Sequence, residues 1–133
     1  MRRKLIVLAC LAALVLSACG TGAREDDAAA VSKRFHAALE AGDGRAACAE
    51  LSEETASKLE QQDRMPCEKA ILAARIPKGG APAVERVEIT TAYVALGDGS
   101  ADFLDQGPDG WRISAAGCRP TGADTPYACE LEG

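Results

Sequence analysis

Ile76-Pro77-Lys78-Gly79-Gly80-Ala81-Pro82 divides the chain in two. Before it, large apolar residues recur with a helical period. After it, they alternate as in a strand. Prolines and glycines so close together allow neither element to run through the segment. Upstream, Val31, Phe35 and Leu39 stand at i, i+4 and i+8, with Ala38 beside them, and predict a helix over Ala28 to Ala41. Asp26 or Asp27 can cap its start, and Gly42-Asp43-Gly44 ends it. Arg45 to Gln62 is helical again, broken near Ser52, with Cys48, Leu51, Thr55 and Leu59 on one face. Ser52 can cap the second part, whose first turn carries Glu53 and Glu54, where negative charge suits the helix dipole. A third helix runs from Pro66 to Ala74, with Pro66 at its permitted first position and Glu68 in its first turn.

Downstream, Val87 and Ile89 alternate with Arg86 and Glu88. A turn near Thr90-Thr91 leads to a second strand, Tyr93-Val94-Ala95-Leu96, and Gly97-Asp98-Gly99 is a hairpin signal. Ser100 to Asp105 forms the third strand. Gly107-Pro108-Asp109-Gly110 turns the chain, and Trp111-Arg112-Ile113-Ser114 begins the fourth. Short turns between successive strands predict a mostly antiparallel sheet. The expected fold is α+β, with three N-terminal helices packed on a curved four-stranded sheet.

The 133 residues suit one small domain. Apolar residues make up 47%, but 27 of them are alanine and aromatics are only 4%. A core with so few large side chains gains from covalent cross-links.

The N-terminus reads as an export and anchoring signal. Arg2, Arg3 and Lys4 precede an unbroken apolar run, Leu5 to Leu16. That is the secretory pattern, and the run is shorter than the roughly 20 residues a membrane-spanning helix needs. Leu16-Ser17-Ala18-Cys19 resembles the lipobox of bacterial lipoproteins. The resemblance implies cleavage after Ala18, a diacylglyceryl group on Cys19, and residence on the outer face of the cell membrane. Two acyl chains anchor stably where one is marginal. Cys10 lies inside the apolar run and is removed with it. Gly20 to Asp27 is polar and aperiodic, and reads as a tether lifting a domain over 28–133 off the membrane. Losing the three basic residues reduces 15 Lys+Arg to 12 against 20 Asp+Glu, a net charge of −8. That disfavours nucleic acid and anionic lipid surfaces as partners, because both need a basic patch.

Cys48, Cys67, Cys118 and Cys129 remain, an even number in an oxidising compartment, with three pairings open. Cys48–Cys67 and Cys118–Cys129 are favoured. The first would join two helices, and the second would close a loop containing Pro120, Gly122 and Pro126. The absence of any CxxC pair speaks against zinc.

The element order resembles the NTF2-like (cystatin-like cone) superfamily, and more closely small actinobacterial lipoproteins of that shape. The phrases that carry the likeness are Phe35-x-x-Ala38-Leu39-x-x-Gly42-Asp43 followed by Cys48, and Asp109-Gly110-Trp111-Arg112-Ile113-x-Ala115-Ala116-Gly117-Cys118-x-Pro120, then Pro126-Tyr127-x-Cys129. The resemblance implies a cone with an interior space but assigns no activity.

Catalytic apparatus is not legible. The sole histidine, His36, reads as the partner of Glu40 on an exposed helix face. Asp102 and Asp105 stand on opposite faces of their strand, and Asp98 and Asp109 supply turn chemistry. There is no phosphate loop and no nucleophile elbow. No metal or cofactor is implied. Phe35, Tyr93, Phe103 and Trp111 are the candidates to line a pocket between sheet and helices. The expectation is a noncatalytic domain that binds a small apolar ligand or an envelope protein. The alternatives are a small hydrolase or isomerase using the interior, and a structural or interaction domain without a pocket. An enzyme would set two or more buried ionisable groups against an open cavity.

Overall fold

The computed structural model describes residues 21–122 and 126–133. The signal segment, Cys19 and Gly20 lie outside the described residues. Among the described residues, four helices come first: α1 (Thr21–Ala41), α2 (Gly44–Ala49), α3 (Glu53–Asp63) and α4 (Cys67–Ala73). Six strands follow: β1 (Pro82–Val87), β2 (Thr91–Leu96), β3 (Ala101–Gly107), β4 (Gly110–Pro120), β5 (Tyr127–Ala128) and β6 (Leu131–Glu132). The helix-to-strand change falls at the expected connector.

Local chemistry sets the helix ends. Gly42 takes φ +69° at the end of α1, and the Gly42 and Asp43 N–H groups donate to the Leu39 and Ala38 carbonyls. This double closure is a Schellman motif, which needs a left-handed residue where glycine costs least. Asp43 then accepts from the Ala46 N–H at 3.0 Å and caps α2. Ser52 does the same for Thr55 at 3.1 Å in α3. The break between α2 and α3 is therefore real. It serves a purpose in the sheet: Glu50 and Ser52 exchange backbone hydrogen bonds with Ile113, and Leu51 forms a parallel bridge to the same residue.

The expected tether over 20–27 is helical from Thr21 onward. The first strand also differs from expectation. It covers Pro82–Val87 and ends before Ile89, because the chain turns there, closed by the Glu88 N–H donating to the Thr91 carbonyl at 2.8 Å.

The sheet runs β1-β2-β3-β4-β5, with β6 also on β4, and every neighbouring pair is antiparallel. It is neither closed nor strongly curled. The NTF2-like cone is therefore corrected: four helices stand where three were expected, and six strands form an open sheet instead of four forming a curved one. The composition supplies a physical reason. A deep concave sheet must be filled by large side chains, and voids lined by alanine forfeit contacts on one side. Here Ala28, Ala38, Ala47, Ala70, Ala92 and Ala116 are buried between larger residues, mostly Val, Leu and Ile, with Phe35 and Trp111 the only aromatics among the buried residues described. Small residues let α1 lie close to a flatter sheet.

Both favoured disulfides are present. Cys48–Cys67 joins α2 to α4 across 19 residues of sequence. Cys118–Cys129 joins β4 to the segment after β5. Loops of this size imply about 2 to 4 kcal/mol each. Beside the first disulfide, one turn away on α2, Gly44 meets α4 so closely that an added Cβ would fall 1.9 Å from the Glu68 carbonyl oxygen. That neighbour is backbone and cannot rotate aside. Gly44→Ala is therefore expected to lower unfolding stability by at least about 2 kcal/mol, as overpacking against backbone does. Urea unfolding of the oxidised protein measures it, and a loss within about 0.5 kcal/mol, the range of ordinary surface substitutions, would disprove the close approach.

Candidate functional site

Ser32 and His36 stand one turn apart on α1, beside the apolar stripe of Val31 and Phe35. All four are buried. The helix packs on the sheet along a face wider than the stripe alone, so two polar side chains enter with it. Facing them, β3 carries Asp102. Strand alternation sets Asp102 opposite Val94 and beside Leu104 on the core side. Its side chain is 0% exposed.

A charge this deep must be paired. The Ser32 hydroxyl donates to Asp102 Oδ2, and His36 Nε2–H donates to the same oxygen at 2.9 Å. This pairing assigns the ring's Nε2–H tautomer. Asp102 Oδ1 and His36 Nδ1 find no hydrogen-bond partner. The expected exposed pair of His36 with Glu40 is thus corrected. His36 is 5% exposed and turned to the sheet, because position 36 lies next to Phe35 on the packed side of α1.

Nδ1 is covered by the connector. A Cβ on Gly79 would lie 3.0 Å from it and 3.0 Å from Leu96 Cδ1, and Gly79 also takes φ +81°. Only glycine lets the chain pass here. Asp98 holds that passage in place. Its carboxylate accepts from Gly79 N–H at 3.2 Å, and from Ser100 N–H at 2.9 Å and Oγ–H at 2.6 Å. Burial pushes the Asp98 carboxyl up, but the Ser100 and Gly79 hydrogen bonds and the Arg119 guanidinium outweigh it and hold it below the ordinary carboxylate range. The turn chemistry expected of Asp98 is what the structure has.

Next to this cluster is a cleft of about 420 Å³, between the C-terminal half of α1, α4 and the connector. Leu39, Ile71, Leu72, Ile76 and Pro77 supply apolar wall. His36 forms part of the floor, and Glu40 and Lys78 bring charge to it.

The four expected pocket residues are not brought together there. Phe35 and Trp111 do lie between sheet and helices, but as core. Phe35 sets its ring edge-on to His36 at 5.2 Å, and Trp111 is stacked under the Arg24 guanidinium at 5.4 Å. Tyr93 and Phe103 point the other way, since they alternate with the core residues Val94 and Leu104. They pack with Tyr127 on the outer face of the sheet, ring centroids 5.1 to 5.8 Å apart. A second hollow, of about 390 Å³, is lined by those rings together with Arg86 and Glu88.

Of the buried cluster, Ser32 was absent from the sequence reading, and Asp102 entered it only as one of two strand carboxylates on opposite faces. The available signal was Ser32-x-x-x-His36: two polar residues at i, i+4 flanking an apolar stripe. Nothing local marks Asp102 as buried.

The arrangement resembles a nucleophilic triad in composition but not in order. A triad needs histidine between the hydroxyl and the carboxylate, so that the ring can take the hydroxyl proton. Here the carboxylate sits in the middle. Ser32 is 0% exposed, and Asp102 does not line the cleft, so two ionisable groups do not face the cavity together. Among the described residues, no group of three His, Cys, Asp or Glu side chains could hold a metal ion. No family model, curated protein or solved structure matches the chain, and none supports the NTF2-like resemblance.

Two outcomes test the site's physics. Asp102→Ala leaves Ser32 and His36 unpaired in the core and should cost about 3 kcal/mol or more. Replacing all three by apolar residues of similar volume should recover much of that loss. Urea titration of the single and triple variants decides it: equal losses would mean the cluster is not a mutually satisfied unit. For Asp98, the lowered folded value adds stability that is complete above the unfolded carboxylate value, about 3.9, and is lost as pH falls through the folded one. Melting temperatures measured from about pH 5 to about pH 2 should therefore fall more steeply for the native protein than for Asp98→Ala.

Proposed function

We propose that this chain is a membrane-anchored extracytoplasmic lipoprotein whose domain binds a small molecule with both apolar and polar groups and does not transform it. The observation that carries the binding role is the cleft beside His36. Its volume, about 420 Å³, lies within the range of small-molecule sites, roughly 300 to 1,000 Å³. Its lining mixes apolar side chains, Leu39, Ile71, Leu72, Ile76 and Pro77, with at least as much polar surface, to which His36, Glu40 and Lys78 contribute and which can orient a ligand. Anchoring is supported by Leu16-Ser17-Ala18-Cys19 after a basic and apolar start. The two disulfides suit an oxidising compartment on the outer face of the cell membrane. The noncatalytic reading rests on hydrogen-bond order: the Asp102 carboxylate separates the one buried hydroxyl of the cluster from the imidazole.

The test has two arms. Cys19→Ser should release the protein from the membrane fraction into the soluble one; continued retention would overturn the anchor. The released, oxidised protein is then screened by thermal shift against small alcohols, phenols and short fatty acids. A ligand present at 100 times its Kd stabilises the native state by about 2.7 kcal/mol. Ile76→Trp, which fills the cleft from the connector, should abolish that shift with little change in the unliganded melting temperature. A shift that survives Ile76→Trp would place binding elsewhere.

A further inference from the structure

The β1–β2 turn holds an apolar side chain where it has nothing to pack against. Ile89 is 85% exposed, the most exposed large hydrophobic residue among those described. The turn itself is firmly held. Glu88 N–H donates to the Thr91 carbonyl at 2.8 Å, and the Thr90 carbonyl accepts from Gln106 N–H at 2.8 Å. Arg24, in the second turn of α1, clamps it from the helix. Its guanidinium donates to the Glu88 carbonyl at 3.1 Å, the Ile89 carbonyl at 2.6 Å and Gln106 Oε1 at 2.9 Å. The backbone at 88–91 is thus fixed to the start of α1, and the β-branched side chain of Ile89 projects from it.

The same end of the molecule is where the chain arrives from Cys19. Helix α1 begins at Thr21, so only Gly20 intervenes. At full extension those two steps span about 7 Å. A chain anchored through Cys19 cannot hold this end far from the lipid. An isolated exposed isoleucine on a surface is ordinary; this one lies beside the point of attachment.

We propose that the β1–β2 turn, with Ile89 at its tip, rests in the interfacial layer of the bilayer that holds Cys19. The domain then stands end-on, with its cleft facing away from the lipid. The inference rests on the anchor reading. Charge does not drive the contact, since Glu25, Asp26, Asp27, Glu88 and Asp109 outnumber Arg24, Arg86 and Arg112 around this end. The acyl chains bring the turn to the surface, and Ile89 inserts. The cleft is built on His36, Leu39 and Glu40, near the far end of a 21-residue helix that spans about 30 Å, so its mouth is open to ligand.

The experiment uses the acylated protein purified from membranes and placed in phosphatidylcholine vesicles with brominated chains. Ile89→Trp and Leu72→Trp each add a tryptophan at an exposed site, and the Trp111 signal of the native protein is subtracted. The mass of the Cys19 peptide is measured first. With the diacylglyceryl group present, Ile89→Trp should lose most of its added fluorescence and Leu72→Trp, beside the cleft, should keep it. Equal quenching, stronger quenching of Leu72→Trp, or no quenching of either overturns the end-on contact and leaves the anchor standing. A Cys19 peptide without the acyl group overturns the anchor reading, and this inference with it.

Discussion

The Asp102 carboxylate is the point on which the two layers of this protein depend. It is fully buried on β3 and takes hydrogen bonds from Ser32 and His36, one turn apart on α1. A buried charge costs several kcal/mol unless paired with good geometry, so any other rotation or register of α1 would strand it. Apolar contacts between α1 and the sheet are small and interchangeable, because many of them are alanines. The polar cluster is directional, and it selects one arrangement among several that would bury similar apolar area. Glycine at position 79 belongs to the same constraint, since the connector must pass against the ring of His36.

The remaining stability is assembled from short-range devices. A Schellman turn at Gly42, caps at Asp43 and Ser52, and two disulfides each remove alternatives locally. Arg34 adds a bidentate pair to Glu50, at 2.7 and 3.0 Å, between α1 and the end of α2. This suits a domain with few large side chains. It also explains the flatter sheet, since alanine fills a thin interlayer but not a deep cone. The cleft is left at the end of the interlayer, where α4 and the connector meet α1 without a large aromatic between them.

Much of the fold was legible because its signals are local. The period change at Ile76–Pro82, the glycine stop after Ala41, the cap at Ser52 and the turns at 97–99 and 107–110 each act within a few residues. The disulfide pairing followed from which helices and loops the cysteines occupy. What misled was any inference that needed a partner distant in sequence. Tyr93 and Phe103 were placed inside, although alternation with Val94 and Leu104 puts them on the outer face. Ile89 fits the period of a strand, yet it stands in the β1–β2 turn closed by the Glu88 to Thr91 hydrogen bond. The segment before Ala28 is polar and aperiodic, and it is helix all the same, held by Arg24 reaching to Glu88, Ile89 and Gln106.

The candidate site divides the same way. Sequence alone set the helix-then-strand order through β4 and favoured the cysteine pairs that the structure has, because these follow from neighbours along the chain, but it did not mark the short strands β5 and β6. Tertiary structure alone decided the fate of His36. Its neighbour Glu40 is four residues away, whereas Asp102 is 66 residues away, and burial favoured the distant carboxylate that had no water to pair with instead. The openness of the sheet was likewise decided in three dimensions, because curvature depends on the volume that all the interlayer side chains fill together.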